Sequence, residues 1–276
     1  MIREAAVEGR FYPHGKEAIF QQIEELERAS RYPDHEGTYD QTLGAVVPHA
    51  GHVYSGYQTI PFFRLLKKRG ELPETFVIFH PNHTGSGPDI ALDPHESWRN
   101  SAGTVAQDHA LGTSLSYPFD AASHRNEHSA EVIIPFIQYY FQEHPFQILP
   151  VCMKRQTSEQ AGELAGKLIR AQRQHHRNVM VIASSDFSHF IAPDKGSQQD
   201  QLVLDQMTAK DTAAVEDTVV TNNISVCGYG PIMTLMSYAG MTNQAYQTSI
   251  LARGHSGEVY PSREVVDYIS VLFYNE

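Results

Sequence analysis

Cysteine is nearly absent from this chain: Cys152 and Cys227 are the only two among 276 residues, and they lie far apart in the sequence. A disulfide framework is thereby excluded, and a reducing cytoplasm is the expected setting. Long apolar runs are missing too, so no bilayer-spanning helix is expected. The first residues, Met1 to Pro13, have neither the basic nor the apolar region of a signal peptide. Positive charge is scarce, with 21 Lys and Arg against 32 Asp and Glu and a net charge of −11. No long basic cluster offsets it, and Lys67-Lys68-Arg69 reads as the solvated end of a helix. Nucleic acid and anionic membrane are therefore poor partners. Tryptophan occurs once, at Trp98, which serves equally well as a packing residue or as a cleft wall.

Histidine is abundant, with 15 in this length. Hydrophobic residues at 41% and charged residues at 19% are those of an ordinary globular protein, enough for a sizeable core. Strand and helix patterns alternate from end to end without a repeat or a low-complexity linker, so residues 1–276 read as one α/β domain.

The organising stretch is Asn178 to Phe190. Val179 to Ala183 is a run of mostly β-branched apolar residues, the pattern of a strand buried on both faces. It leads into Ser184-Ser185-Asp186-Phe187-Ser188-His189. In open α/β sheets, ligands bind beyond the carboxyl ends of strands. Asp186 and His189 stand three apart, so one turn presents both on one side. A helix cap with an incidental histidine would look the same. The arrangement recurs, however. Gly44 to Val47 runs into Pro48-His49-Ala50-Gly51-His52, and Thr75 to Phe79 runs into His80-Pro81-Asn82-His83. Three strand ends carrying histidines point to one polar site.

The remaining pattern predicts an irregular segment over 1–13, a helix over 15–29 on Ile19, Ile23 and Leu26, and a loop over 31–41. A helix over 58–68 would hold Pro61 in its first turn. An edge strand is expected at 89–92 and a helix at 108–115. Residues 127–142 read as a buried helix capped by Asn126 and kinked at Pro135, with His128 and Glu131 on one face. Those two could simply satisfy each other and the helix end. A strand over 146–152 precedes a capping-box helix opened by Thr157. Helices at 200–215 and 232–239 follow, then strands at 245–252 and 266–273 around a loop at 253–257. Cys227, just before a helix, would have its thiol pKa lowered by the helix dipole, or it is a small buried hydrophobe. Cys152, within a strand, is the latter.

If His49, His83 and Cys227 converge, they form a two-nitrogen, one-sulfur site suited to zinc, iron or copper rather than magnesium or calcium. His189, oriented by a partner such as Asp186, would act beside it as general acid or base.

Together, Pro48-His49-Ala50-Gly51 with Tyr54 and Gly56, Pro81-Asn82-His83, Glu127-His128-Ser129 with Glu131, Ser184 to His189, and Cys227-Gly228 with Pro231-Ile232 resemble the Memo family. The start, Arg3-Glu4-Ala5 with Phe11-Tyr12, is similar as well. The resemblance spans nearly the whole chain. It implies the fold of type III extradiol dioxygenases, a three-layer αβα sandwich around one mixed, mainly parallel sheet. It implies His49 and His83 as metal ligands, with Cys227 where those enzymes have a glutamate. His189 then matches the acid–base histidine, and Asp186 lines the same pocket, completed by His128, Glu131, Tyr54, His52 and Phe11. Memo proteins are described as binding copper or iron there, and the animal member as a phosphopeptide-binding adaptor. The sequence departs from the family at His52, where an aromatic is usual, at His80, where a small residue is common, and after Trp98.

Three functions follow as expectations. The first is redox or oxygen chemistry at iron or copper on a small substrate, although a thiolate ligand makes ordinary catechol cleavage a poor match. The second is a non-catalytic pocket for a peptide or small ligand, and the third a zinc hydrolase. Assembly into a homo-oligomer stays open.

Overall fold

The computed structural model describes every residue except Glu36 and Thr38, so those two positions of the predicted 31–41 loop lie outside the described residues. Among the described residues, the chain forms a mixed eight-stranded sheet between two layers of helices, with a small three-stranded sheet at one side. Four strands form the parallel centre: β2 (Gln41–Val47), β3 (Thr75–Pro81), β7 (Gln147–Met153) and β8 (Val179–Ser184). Here β8 pairs with both β2 and β3, and β3 pairs with β7. Antiparallel strands flank this centre. β4 (Ile90–Leu92) lies on β7; β11 (Val265–Asn275) lies on β2, with β10 (Gln247–His255) beyond it and β9 (His189–Ile191) on its start.

Strand alternation sends side chains into two separate cores. On β8, Val179, Val181 and Ala183 enter one core, and Met180 and Ile182 the other. The first is covered by α3 (His109–Leu115), α6 (Ser158–His175), α7 (Pro193–Ala209), α8 (Thr212–Thr221) and α9 (Tyr229–Thr242). The second is covered by α1 (Lys16–Arg28), α2 (His52–Arg69) and α5 (Ile134–Tyr140). This is the expected three-layer sandwich. The stripe Ile19, Ile23 and Leu26 is buried as predicted for α1. Thr157 caps α6 through the Gln160 N–H at 3.2 Å.

Several expectations need correction. Residues 1–13 are not wholly irregular: β1 (Ile2–Glu4) pairs in parallel with β5 (Ser97–Asn100), which forms a hairpin with β6 (Gly103–Ala106). These strands are short and half polar, so they show no apolar alternation. Helix α2 starts at His52 rather than near residue 58, because Gly51 ends the preceding turn and the Phe11 carbonyl takes the His52 N–H at 2.8 Å. Pro61 therefore sits inside the helix, not in its first turn. Residues 127–130 are not helical: the Glu127 carboxylate draws in the N–H groups of His128 and Ser129 and shapes a turn. After a 3-10 turn at Glu131–Ile133, Pro135 falls in the first turn of α5 and has no kink to make. The predicted 200–215 helix is two helices, separated at Lys210 with φ 61° and restarted by the Asp211 cap. A further short helix, α4 (Ala121–Arg125), precedes the Glu127 turn, and β10 runs through most of the predicted 253–257 loop. Trp98 is a packing residue: buried, with its ring under the Arg3 guanidinium.

A candidate metal centre at the strand ends

The parallel strands β2, β3 and β8 end side by side, with Val47 opposite Ser184 and Phe79 opposite Ala183. The segments that leave them therefore meet. His49, His83 and Cys227 each offer a ligand atom, and these atoms all lie within 4.8 Å of one another. Around a tetrahedral ion with bonds of about 2.0–2.3 Å, neighbouring ligands stand about 3.3–3.8 Å apart. His49 Nε2 and Cys227 Sγ are 3.3 Å apart.

The hydrogen bonds decide which ring nitrogen is free. The Ser184 hydroxyl donates to the Ser129 carbonyl at 2.7 Å, so its oxygen can only accept from His49 Nδ1, 2.6 Å away. His49 thus carries its hydrogen on Nδ1 and turns the Nε2 lone pair toward Cys227. Glu127 does the same for His83, accepting from Nδ1 at 2.9 Å and from the backbone N–H at 2.6 Å. Such outer partners fix the tautomer that a metal needs. Burial, reinforced by the neighbouring His128 and His83 rings, holds the His49 pKa well below the ordinary value, so the ring is neutral. A neutral imidazole is the ligand form. Donor types, tautomers and spacing all fit a transition ion.

Of the two readings of Cys227, the lowered thiol pKa is not what the structure has. Burial first, and the Asp186 carboxylate next, push its thiol pKa well above the usual value. Any helix-dipole effect is outweighed, and the thiol instead shares the Asp186 carbonyl and the His49 ring as hydrogen-bond neighbours. A bound cation reverses that balance, since coordination deprotonates a thiol.

Asp186 is nearly fully buried, accepts the His49 N–H at 2.8 Å, and has its pKa pushed up to about 6, mainly by desolvation. His189 accepts nothing at Nδ1, which donates to the Ser225 carbonyl at 2.8 Å, leaving Nε2 as the basic atom. Phe11 packs on His128 with ring centres 4.8 Å apart, and His128 stacks on His83 at the same separation. Tyr54 sits in the first turn of α2, beside Tyr260.

Two candidates are not brought to the ligand group. His52 is buried between Tyr12 and Phe136 and bonds the Val132 carbonyl at 2.9 Å. Glu131 does not pair with His128. It accepts from Arg3 at 2.8 Å, the N–H groups of Ala6 and Val7, and the Tyr12 hydroxyl, and so anchors the N-terminal arm that carries Phe11. His80 is likewise buried, with Nδ1 3.0 Å from Ser129 Oγ. Sequence reasoning missed the parts played by Glu127, Ser129 and Ser184. Glu127 was visible in its motif, but the partner of His83 lies 44 residues away along the chain.

An αβα sandwich with an imidazole–thiol cluster beyond its parallel strand ends defines the class. The profile of Memo-like proteins matches residues 3–272, and the chain belongs to that family. It is 35% identical over 274 residues to a MEMO1 family protein of Methanococcoides burtonii, covering 98% of this chain and 99% of that one. A second, from Methanopyrus kandleri, is 36% identical over 284 residues, with 99% of each chain covered. In fold, the chain is similar to the crystal structure of an uncharacterized protein, JW3007, from Escherichia coli K12. That likeness has a TM-score of 0.53 at 11% identity and covers 84% of this chain and 99% of the other.

Proposed function

We propose that the chain binds one iron or copper ion between His49, His83 and Cys227 and performs redox chemistry on a small organic substrate beside it, with zinc as the redox-inactive competitor. The observation that carries this reading is the meeting of three ligand atoms whose ring tautomers are already set for coordination. A transition ion held there supplies Lewis acidity and, as iron or copper, a one-electron couple. The chain's own residues supply the rest. His189 Nε2 takes or returns the substrate proton, with the ring held by Ser225. Asp186, with a pKa near 6, exchanges a proton around neutral pH and orients the backbone of His49. Phe11 packs its ring on His128 at the edge of the group.

A second reading, ligand binding without turnover, draws on the exposed aromatic rings near the site: Phe190, next to His189, and Tyr260, beside Tyr54, are 75% and 65% exposed. The test is anaerobic metal analysis of protein purified without a histidine tag, repeated on Cys227→Ala. Stoichiometric iron or copper lost in the variant supports the redox reading. Metal content indifferent to the substitution overturns it, as does tightly held zinc with esterase or amidase turnover. Small-ligand or peptide binding unaffected by chelators selects the second reading.

A further inference from the structure

Two carboxyl groups are buried against each other under the loop that carries Asp186 and His189. Asp200 on α7 has no exposed surface, and Asp267 on β11 is 5% exposed. Asp200 Oδ1 accepts the Ser188 hydroxyl at 2.6 Å and the Ser188 N–H at 3.1 Å. Its Oδ2, and Oδ2 of Asp267, have no donor among the described residues, although the two side chains are within hydrogen-bond reach of each other. As two carboxylates they would be buried like charges in contact, each with one oxygen that lacks a donor.

The surroundings do not neutralise them. The titratable and charged neighbours are Arg253 and His255 on β10, Glu258 on the following turn, His189 on β9, and Tyr268 next along β11. The Arg253 charge favours the ionised form of both, but its hydrogen bonds among the described residues go to Ser197 and Gln201 of α7 and not to either carboxyl, and Glu258 adds negative charge. On the α7 side the backbone fills the space: a Cβ at Gly196 would lie 2.2 Å from Asp267 Oδ2. A single proton between the carboxyl groups satisfies both, as in other paired acids.

We propose that Asp200 and Asp267 share one proton at neutral pH and that this acid pair is the clamp that positions the Asp186–His189 loop. The clamp grips the loop through side chain and backbone together. The Asp200 side chain holds Ser188, while the Asp267 backbone carbonyl accepts the Phe187 N–H at 2.9 Å and the Asp267 backbone N–H donates to the Ser188 carbonyl at 2.8 Å. Only the catalytic meaning of that position rests on the function proposed above. Burial, then the bond to Asp200 and its charge, push the Asp267 pKa up to about 8, and Asp200 is raised as well. The native state therefore keeps a proton that the unfolded chain has released. Stability from this pair is fully present below the ordinary carboxyl pKa and is lost as pH rises toward about 8.

The test compares the chain with Asp267→Asn, whose amide donates permanently to Asp200. Urea unfolding of metal-free protein is followed from pH 5 to 9, with exchange of the Phe187 and Asp267-position amides corrected for intrinsic rate. The folding constant of the unsubstituted chain should fall relative to the variant by up to about tenfold per pH unit as far as pH 8. Protection of the two amides should drop above pH 8 in the unsubstituted chain alone. Parallel stability curves would overturn the shared proton. A stability gain on adding calcium or sodium, specific to the unsubstituted chain, would assign the pair to a cation and overturn it too. Unchanged amide protection across pH 8 would overturn the clamp. Asp267→Ala, which leaves Asp200 Oδ2 without a partner, should be less stable than Asp267→Asn at every pH. Because no metal is present, these results are independent of the metal-binding proposal.

Discussion

Glu127 is fully buried, yet it stays ionised: burial works against the charge, but the bond from His83 and the nearby His80 and His128 rings outweigh it and lower its pKa. Its oxygens also take the N–H groups of His83, His128 and Ser129. Glu127→Gln turns a donor toward one set of these donors and frees the His83 ring. Metal affinity should fall about 10–100-fold, read by competition with a chromogenic chelator. His52 and His124 are different. Burial lowers both pKa values to about 4, and neither is brought to the ligand group. Between pH 6.5 and about 4, the unfolded chain takes up protons that the native state excludes, so their contribution is complete above that window and lost as pH falls through it. His52→Phe should keep full metal binding and give a stability curve shallower by about one proton, or about 1.4 kcal/mol per pH unit. Urea unfolding from pH 7 to 4.5 reads the slope.

At the scale of elements, the site depends on close approaches between backbones. Gly228 precedes α9, and a Cβ there would lie 2.3 Å from the Ser184 carbonyl oxygen. Gly228→Ala should force α9 away from the end of β8, carrying Cys227 with it. Metal stoichiometry should collapse, and stability should drop by about 1–3 kcal/mol, as for other overpacked sites. The N-terminal arm is a second case. Glu131 and Arg3 are both buried, so Glu131→Ala strands a buried cation and releases the arm that carries Phe11. A loss of about 3–5 kcal/mol is expected, with faster proteolysis near residues 5–12 as the local readout. Both features stand as ordinary letters in the sequence. Glycine spacing does not reveal which neighbour comes close, and a glutamate three residues after a histidine reads first as its partner.

For the whole molecule, the sandwich brings together candidate ligands separated by as many as 178 residues. Metal that binds only this assembled state stabilises it, by about 2.7 kcal/mol at a free concentration 100-fold above Kd. Saturating metal should raise Tm by roughly 5 °C in a chain of this size, and Cys227→Ala should abolish the shift in a thermal scan. Among the described residues, no helix is long and apolar enough to cross a membrane.

The buried strands β2, β3, β7 and β8, the amphipathic helices α1 and α6, and the histidines at three strand ends were legible from the sequence, because a short continuous apolar run marks a strand buried on both faces and a 3.6 period marks a helix that buries one. Tertiary structure alone decided the tautomers of His49 and His83, the placing of His52 and Glu131 outside the three-ligand group, the raised pKa of Cys227 and the contact of Asp200 with Asp267. Each depends on a partner brought from elsewhere in the chain and on the water it displaces, and neither is encoded in neighbouring residues.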